Sequence, residues 1–175
     1  MAERLVLYLF KQDEEKLRNF SENLEALHHL KSCPRCFHIA ENELCHICAD
    51  DKRLMDTLCV VEEPLDVIAI ERTGAYQGLY HVIGGLLESG RNNNSHTLHI
   101  TELLKRVEGE SIREIILATN PTTEGDLTAL YLKKKLEPYN IKITRIGRGM
   151  ATGGDIEYAD EMTLIASLTN RKEIV

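Results

Sequence analysis

Apolar residues in the first thirty positions recur mostly at intervals of three and four, which is the spacing of one face of an α-helix. They are Leu5, Leu9, Leu17, Phe20, Leu24, Leu27 and Leu30. The polar stretch 11–13 interrupts the pattern, and Asp13 is of a residue type that caps helix N-termini. The sequence therefore predicts two short helices within residues 2–31. Their apolar faces need a neighbour, a preceding segment or a second copy of the chain.

Strand-like and helical patterns alternate beyond residue 56. Short apolar runs predict strands at 57–61, 80–83, 114–118 and 141–146. Helical patterns, the first opened by Pro64, predict helices at 65–72, 100–107 and 124–136. The polar stretch 88–96 indicates a surface loop. This order is typical of right-handed βαβ units that build a mainly parallel sheet flanked by helices, so we predict an α/β fold.

The overall composition is that of a folded, soluble protein. The chain has 175 residues, of which 43% are hydrophobic and 28% are charged, and this excludes a wholly disordered protein. No apolar run approaches the roughly 20 residues that cross a bilayer, and the first turns lack the apolar stretch of a signal peptide. We expect a cytoplasmic protein that does not bind membranes.

The charge balance restricts how this chain meets nucleic acid. Acidic residues outnumber basic ones by 28 to 21, which gives a net charge of −7. As a whole, such a molecule repels phosphate backbones. Contact with nucleic acid therefore has to come from a local basic patch or through a partner protein.

Four cysteines follow the spacing C-x2-C-x8-C-x2-C, and they are Cys33, Cys36, Cys45 and Cys48. Each C-x2-C pair places two thiolates on one turn, and two such turns facing each other form the tetrahedral sulfur cage that Zn2+ prefers. Four thiolates leave no open position for water, so the pattern favours one structural zinc ion per chain. An iron–sulfur cluster and a redox dithiol remain as alternatives.

Three other residues bear on this segment. Cys59 lies in an apolar run and is expected in the core. His38 and His46 lie between the cysteine pairs, but four thiolates already fill the coordination sphere. We expect both histidines to be exposed loop residues.

Acidic residues follow two of the predicted strands. Glu62 and Glu63 come after the first strand, while Asn120, Glu124 and Asp126 come after the third. The carboxyl ends of parallel strands meet at one edge of a sheet, so these residues are expected close together. Paired carboxylates at such an edge can hold Mg2+ for phosphoryl transfer. The simpler alternative is that they lie in the first turns of helices, where the helix dipole favours negative charge.

Residues 145–155 are rich in glycine and include Arg145 and Arg148. The arginines can meet phosphate or an acidic partner, and the glycines permit close backbone approach. The segment lacks the lysine and Ser/Thr of a phosphate-binding P-loop, and a glycine-rich linker is an equally good interpretation.

Several of these stretches together resemble the RecR family of bacterial recombination mediator proteins. The matching stretches are 33–48, 58–71, 80–85, 115–121 with Glu124 and Gly125, and 154–164. The resemblance covers nearly the whole chain in order. It implies a four-cysteine zinc finger followed by a Toprim domain, the α/β module also found in primases and type IA topoisomerases.

The resemblance also implies what the chain does. Toprim enzymes hold magnesium with a glutamate after the first strand and an Asp-x-Asp pair after the third. Here Glu62 matches the glutamate, but Asn120 and Thr122 occupy the aspartate positions. RecR proteins resemble non-enzymes that act with RecO and RecF to load recombinase on single-stranded gaps coated by single-strand-binding protein. The acidic edge is then expected to bind RecO, and the alternative is a magnesium-dependent Toprim nuclease or primase-like enzyme.

The resemblance divides the chain into four parts. Residues 1–31 resemble the helices that follow the Gly-Ile-Gly-Pro-Lys hairpin of a helix-hairpin-helix region, 32–52 the zinc finger, and 55–153 the Toprim domain. Because that hairpin is not in the sequence, we expect DNA contact to be weak or indirect, with Arg145 and Arg148 as candidates. Segment 154–175 carries an apolar face and is expected to form a dimer contact. The residues of this face are Met162, Ile165 and Leu168.

Overall fold

The computed structural model describes residues 2–88 and 97–173. The helices are α1 (Ala2–Phe10), α2 (Glu14–Ala26), α3 (His46–Ala49), α4 (Pro64–Glu71), α5 (Ile100–Gly109), α6 (Thr123–Leu136) and α7 (Glu161–Thr169). The strands are β1 (Lys31–Ser32), β2 (Ile39–Ala40), β3 (Leu54–Val61), β4 (Gly78–Val82), β5 (Glu114–Leu117) and β6 (Lys142–Arg145). Short 3-10 turns occupy Leu27–His29, Glu137–Tyr139 and Ile156–Tyr158.

The two N-terminal helices are confirmed. The side chain of Asp13 accepts a hydrogen bond from the backbone N–H of Lys16 at 2.9 Å and so caps α2, as its position predicted. The apolar side chains of both helices are largely exposed, and Phe10 reaches 83% exposure. The described part of the chain therefore leaves these faces uncovered.

The predicted α/β sheet is confirmed and is parallel throughout. Its strand order is β4-β3-β5-β6, so β3 and β5 are central. The first strand begins three residues earlier than predicted, at Leu54, because the pairing with β4 extends to the Leu54–Gly78 register after an irregularity. Of the predicted loop 88–96, all but the first residue lie outside the described residues.

Side chains of β3 alternate between two cores, one on each face of the sheet. Leu58 and Val60 pack in the core that includes α5 and α6. Cys59 and Val61 pack on the opposite face, with α4 and the zinc finger. This alternation follows from the two-residue period of a strand. It confirms Cys59 as a core residue, and burial raises the pKa of its thiol to about 12.

The C-terminal helix α7 begins at an N-cap, Asp160, whose carboxylate accepts from the backbone N–H of Thr163 at 2.9 Å. The apolar side chains predicted to form a dimer contact are exposed on it. Among residues 2–88 and 97–173, no helix combines the length and apolar character needed to cross a membrane.

Candidate functional site: a four-cysteine zinc centre and an acidic sheet edge

The four predicted zinc ligands converge. The sulfur atoms of Cys33, Cys36, Cys45 and Cys48 all lie within 4.8 Å of one another, and all four side chains are buried. The Cys36 and Cys45 sulfurs are 3.5 Å apart. Four sulfurs at this spacing match the edges of a tetrahedral Zn2+ site. Because every position is a thiolate, the bound ion stabilises structure and leaves no site for substrate.

Local backbone geometry places each cysteine pair. In the first pair, the backbone N–H of Cys33 donates to the carbonyl of His38 at 2.7 Å. Phe37, which lies between Cys36 and His38, has a left-handed backbone conformation with φ of 64°. The second pair begins α3, where the Cys45 sulfur accepts from the backbone N–H of Cys48 at 3.4 Å. Hydrogen bonds from neighbouring thiols lower the pKa of Cys45, and a bound thiolate is the form that zinc requires.

The zinc finger packs directly on the sheet. The carbonyl of Cys36 accepts a hydrogen bond from the backbone N–H of Val82, at the end of β4, at 2.8 Å. The ring of Phe37 stacks on His99, with ring centres 3.7 Å apart and planes 8° apart. The finger therefore covers the outer edge of β4 and shares one core with it.

An ion-pair cluster joins the finger to α5. Arg35 lies between the first two cysteines and donates to the carboxylate of Glu110 at 3.0 Å. Glu110 also accepts from Arg106 at 3.1 Å, and Arg106 donates to the carbonyl of Tyr80 at 2.6 Å. The hydrogen bond to Glu110 raises the pKa of Arg35. Sequence reasoning missed this cluster because Arg35 and Glu110 lie 75 residues apart.

The prediction for His38 is wrong. For His46 the predicted exposure is confirmed, although the residue begins helix α3 and does not lie in a loop. His46 is exposed on α3, but His38 is only 4% exposed. Its carbonyl accepts a hydrogen bond within the first cysteine knuckle, and its side chain lines a cavity together with Val67 and Ile68 of α4.

At the acidic edge, Glu62 and Asn120 form a close pair. The Glu62 carboxylate accepts from the backbone N–H of Asn120 at 2.5 Å and from its side-chain amide at 2.8 Å. Glu62 is only 7% exposed, at the end of β3, and Asn120 follows the neighbouring strand β5. The predicted proximity is therefore observed, with both carboxylate oxygens engaged by amide donors.

Glu63 and Glu124 are exposed at the beginnings of two helices. Glu63 is the N-cap of α4, and its backbone N–H donates to Asp66 at 2.8 Å. Glu124 lies in the first turn of α6, which Thr122 caps by accepting from the backbone N–H of Gly125 at 3.0 Å. Both positions fit the helix-start interpretation, and both carboxylates face solvent.

Asp126 lies beside the two predicted arginines. Arg145 contacts its carboxylate at 2.5 Å, and Arg148 forms a second, short ion pair with it. The hydrogen bond from Arg148 lowers the pKa of Asp126. The sequence predicted the acidic and the basic residues as separate features; the sheet brings them together because β6 lies next to β5.

The carboxylates of the acidic edge do not converge on one point. The oxygens of Glu62 are taken by Asn120, those of Asp126 by arginines, and Glu124 faces solvent. Within the described ranges 2–88 and 97–173, the four cysteines form the one group of three or more metal-ligating side chains. The three-carboxylate arrangement that binds magnesium is thus replaced by hydrogen bonds and ion pairs.

Family comparisons agree with this architecture. Residues 56–147 match the model of the Toprim domain, and residues 30–50 match that of the four-cysteine zinc finger domain of RecR. Residues 149–172 match the RecR C-terminal model. The fold and the sites thus define a Toprim protein with a four-cysteine structural zinc finger.

Similar proteins narrow this class. The chain is 49% identical to recombination protein RecR of Deinococcus radiodurans, over 99% of this chain and 78% of that protein. It is 45% identical to RecR of Roseiflexus castenholzii and 44% identical to that of Pelotomaculum thermopropionicum, over 99% of this chain and 85% and 87% of those proteins. The chain belongs to the RecR family, and its role lies in recombination and DNA repair.

Proposed function

We propose that this chain is a non-enzymatic mediator of recombinational repair. It acts with RecO and RecF and helps to load recombinase on single-stranded gaps coated by single-strand-binding protein. The observation that supports this proposal is the pairing of Glu62 with Asn120. An amide stands where a Toprim enzyme has a second carboxylate, so this pair satisfies itself without a metal ion.

The acidic edge is the proposed contact surface for RecO. Its exposed carboxylates, Glu63 and Glu124, follow the ends of the two central strands β3 and β5. The buried Glu62 holds the loop that leads to α6 in place through its hydrogen bonds to Asn120. Exposed charges of this kind act mainly on association rate and specificity, so the partner surface is expected to be basic.

Calorimetric titration with purified RecO tests this surface. The double variant Glu63→Ala, Glu124→Ala removes two exposed carboxylates without breaking the Glu62–Asn120 pair. The matched control is Glu137→Ala, which removes an exposed carboxylate at the opposite end of α6. We expect the double variant to bind at least about tenfold more weakly, with the control unchanged. Equal loss in both variants, or in neither, would contradict the proposed surface.

Arg145 and Arg148 are proposed to contact DNA or a partner only in competition with Asp126, which holds both guanidinium groups. DNA binding by the chain alone is therefore expected to be weak. Titration of the salt concentration tests this, because a direct phosphate contact gives a steep salt dependence. Metal-dependent cleavage or relaxation of DNA by the pure protein would instead favour the Toprim enzyme.

Self-association is proposed through α7, where Met162, Ile165 and Leu168 are exposed. Burial of such a face against a second copy removes apolar area from water and favours a dimer. Sedimentation measures the mass directly, and Ile165→Asp is expected to shift a dimer to a monomer. A monomeric wild-type protein at micromolar concentration would contradict this contact.

A further inference from the structure

A groove lies between the zinc finger and α4. Two adjoining cavities, of about 690 and 340 Å3, form it and share His38, His46 and Ile68 in their walls. Each of the two cavities falls within the roughly 300–1,000 Å3 typical of ligand sites. The groove is thus large enough to receive several side chains of a bound peptide.

The lining of the larger cavity is mainly apolar. It is built by Leu30, Ile39, Ala40, Leu44, Ala49 and Ile68. Ile39 is 43% exposed, although it lies in strand β2 beside the buried knuckle. An aliphatic side chain that packs against this wall removes apolar surface from water, which favours binding.

A buried polar atom in the groove is unsatisfied. His38 lines both cavities and is 4% exposed, and its Nδ1 atom has no hydrogen-bond partner among the described residues. Buried polar atoms are nearly always paired, because an unpaired one loses its hydration without compensation. Because this atom is itself closed off from solvent, a peptide group pairs with it only when the wall of the groove opens on binding.

Charge decides between possible occupants. The charged side chains in the lining of the larger cavity are Glu41 and Glu43, both exposed carboxylates. The smaller cavity is lined by Glu71, which Arg53 and Tyr80 hold, and by the exposed Arg72, so the unpaired negative charge lies at the larger cavity. Two exposed carboxylates beside an apolar wall repel a phosphate backbone and attract lysine or arginine.

We propose that this groove binds a peptide segment of a partner protein in which an aliphatic residue lies beside lysine or arginine. The aliphatic side chain enters between Ile39, Leu44 and Ile68. The basic side chain pairs with Glu41 or Glu43, and a peptide group bonds to His38. This groove and the RecO surface proposed above share no residue, although α4 adjoins both, with Glu63 at its N-cap and Ile68 in the groove wall.

Nuclear magnetic resonance of the zinc-loaded chain, labelled on isoleucine and leucine methyl groups, tests the proposal. The probe is the capped pentapeptide Lys-Leu-Arg-Leu-Lys, and its control is Glu-Leu-Glu-Leu-Glu, which has the same leucines and the opposite charge. We expect saturable shifts at the methyl groups of Ile39, Leu44 and Ile68 with the basic peptide alone. The double variant Glu41→Gln, Glu43→Gln should weaken binding on the order of fivefold.

A matched variant, Glu22→Gln, Glu25→Gln, removes two exposed carboxylates from α2, outside the groove, and should leave the titration unchanged. Three results would overturn the proposal. The first is no saturable shift, and the second is an equal response to the acidic peptide. The third is that the same methyl groups shift with oligothymidylate, or with protein concentration when no peptide is present.

Discussion

The carboxylate of Glu62 accepts two hydrogen bonds from Asn120, one from the backbone amide and one from the side-chain amide. This pair joins the ends of the two central strands. In a magnesium-binding Toprim site, the same two positions carry two carboxylates, which repel each other unless a bound cation offsets their charge. Here the second position is a donor, so the strand ends are held together by the chain itself.

Replacing Asn120 with a carboxylate should reverse this arrangement. In Asn120→Asp, a carboxylate at the exposed position 120 faces the buried carboxylate of Glu62, and we expect a loss of about 1–3 kcal/mol in the free energy of unfolding. Magnesium ions should restore part of that loss. Urea denaturation with and without magnesium measures both effects. A variant as stable as the wild type in the absence of magnesium would contradict the role of the pair.

The zinc centre should carry one zinc ion per chain. Cys36→Ser removes a ligand and should abolish most of the bound zinc, whereas Cys59→Ala, which removes the thiol outside the cluster, should keep it. Elemental analysis of the purified proteins measures the zinc content. Loss of zinc should also speed hydrogen exchange at the Val82 amide, since its acceptor is the Cys36 carbonyl. Unchanged exchange there would contradict the coupling between finger and sheet.

The ion-pair cluster between finger and α5 should contribute strongly to stability. Glu110→Gln leaves the nearly buried Arg106 without its carboxylate partner, and breaking such a pair costs about 3–5 kcal/mol. Glu102→Gln, at an exposed position of the same helix, is the control and should change stability by less than about 0.5 kcal/mol. Denaturant midpoints compare the two variants. Similar values for both would show that the cluster contributes little.

His81 should make the fold sensitive to acid. Burial lowers its pKa from 6.5 to about 4, so the unfolded chain binds a proton between these values and the folded chain does not. The neutral, buried His81 therefore makes its full contribution to the free energy of unfolding above pH 6.5. This contribution is lost as the pH falls towards 4, by up to about 1.4 kcal/mol per pH unit. In His81→Gln this part of the slope should vanish, while any acid effect on the zinc site remains. Equal slopes in both proteins would contradict the assignment.

Patterns that depend on neighbours in the sequence predicted most of the fold. The short apolar run 57–61 indicated a buried strand, and the spacing of the four cysteines indicated the zinc centre. Both signals are local, because strand period and knuckle geometry are set within a few residues. The N-cap at Asp13 was predictable for the same reason.

Contacts between distant segments were not predictable in this way. The predicted topology placed Glu62 and Asn120 at one edge of the sheet. It did not predict which hydrogen-bond donors would meet which acceptors. Asp126 was expected in the acidic edge, and Arg145 and Arg148 were expected to meet phosphate or an acidic partner. The pairing of these three side chains with one another was not predicted. The burial of His38 was missed because it depends on how the finger packs against α4. These features follow from tertiary packing, on which the sequence pattern carries no signal.

The most direct test of the mediator role is the rate of recombinase assembly on gapped DNA coated by single-strand-binding protein, measured with RecO and RecF present. We expect the wild-type chain and Glu137→Ala to accelerate assembly, and the Glu63→Ala, Glu124→Ala variant to lose most of that acceleration. No acceleration by the wild-type chain, or magnesium-dependent cleavage of the gapped DNA in its place, would contradict the proposed function.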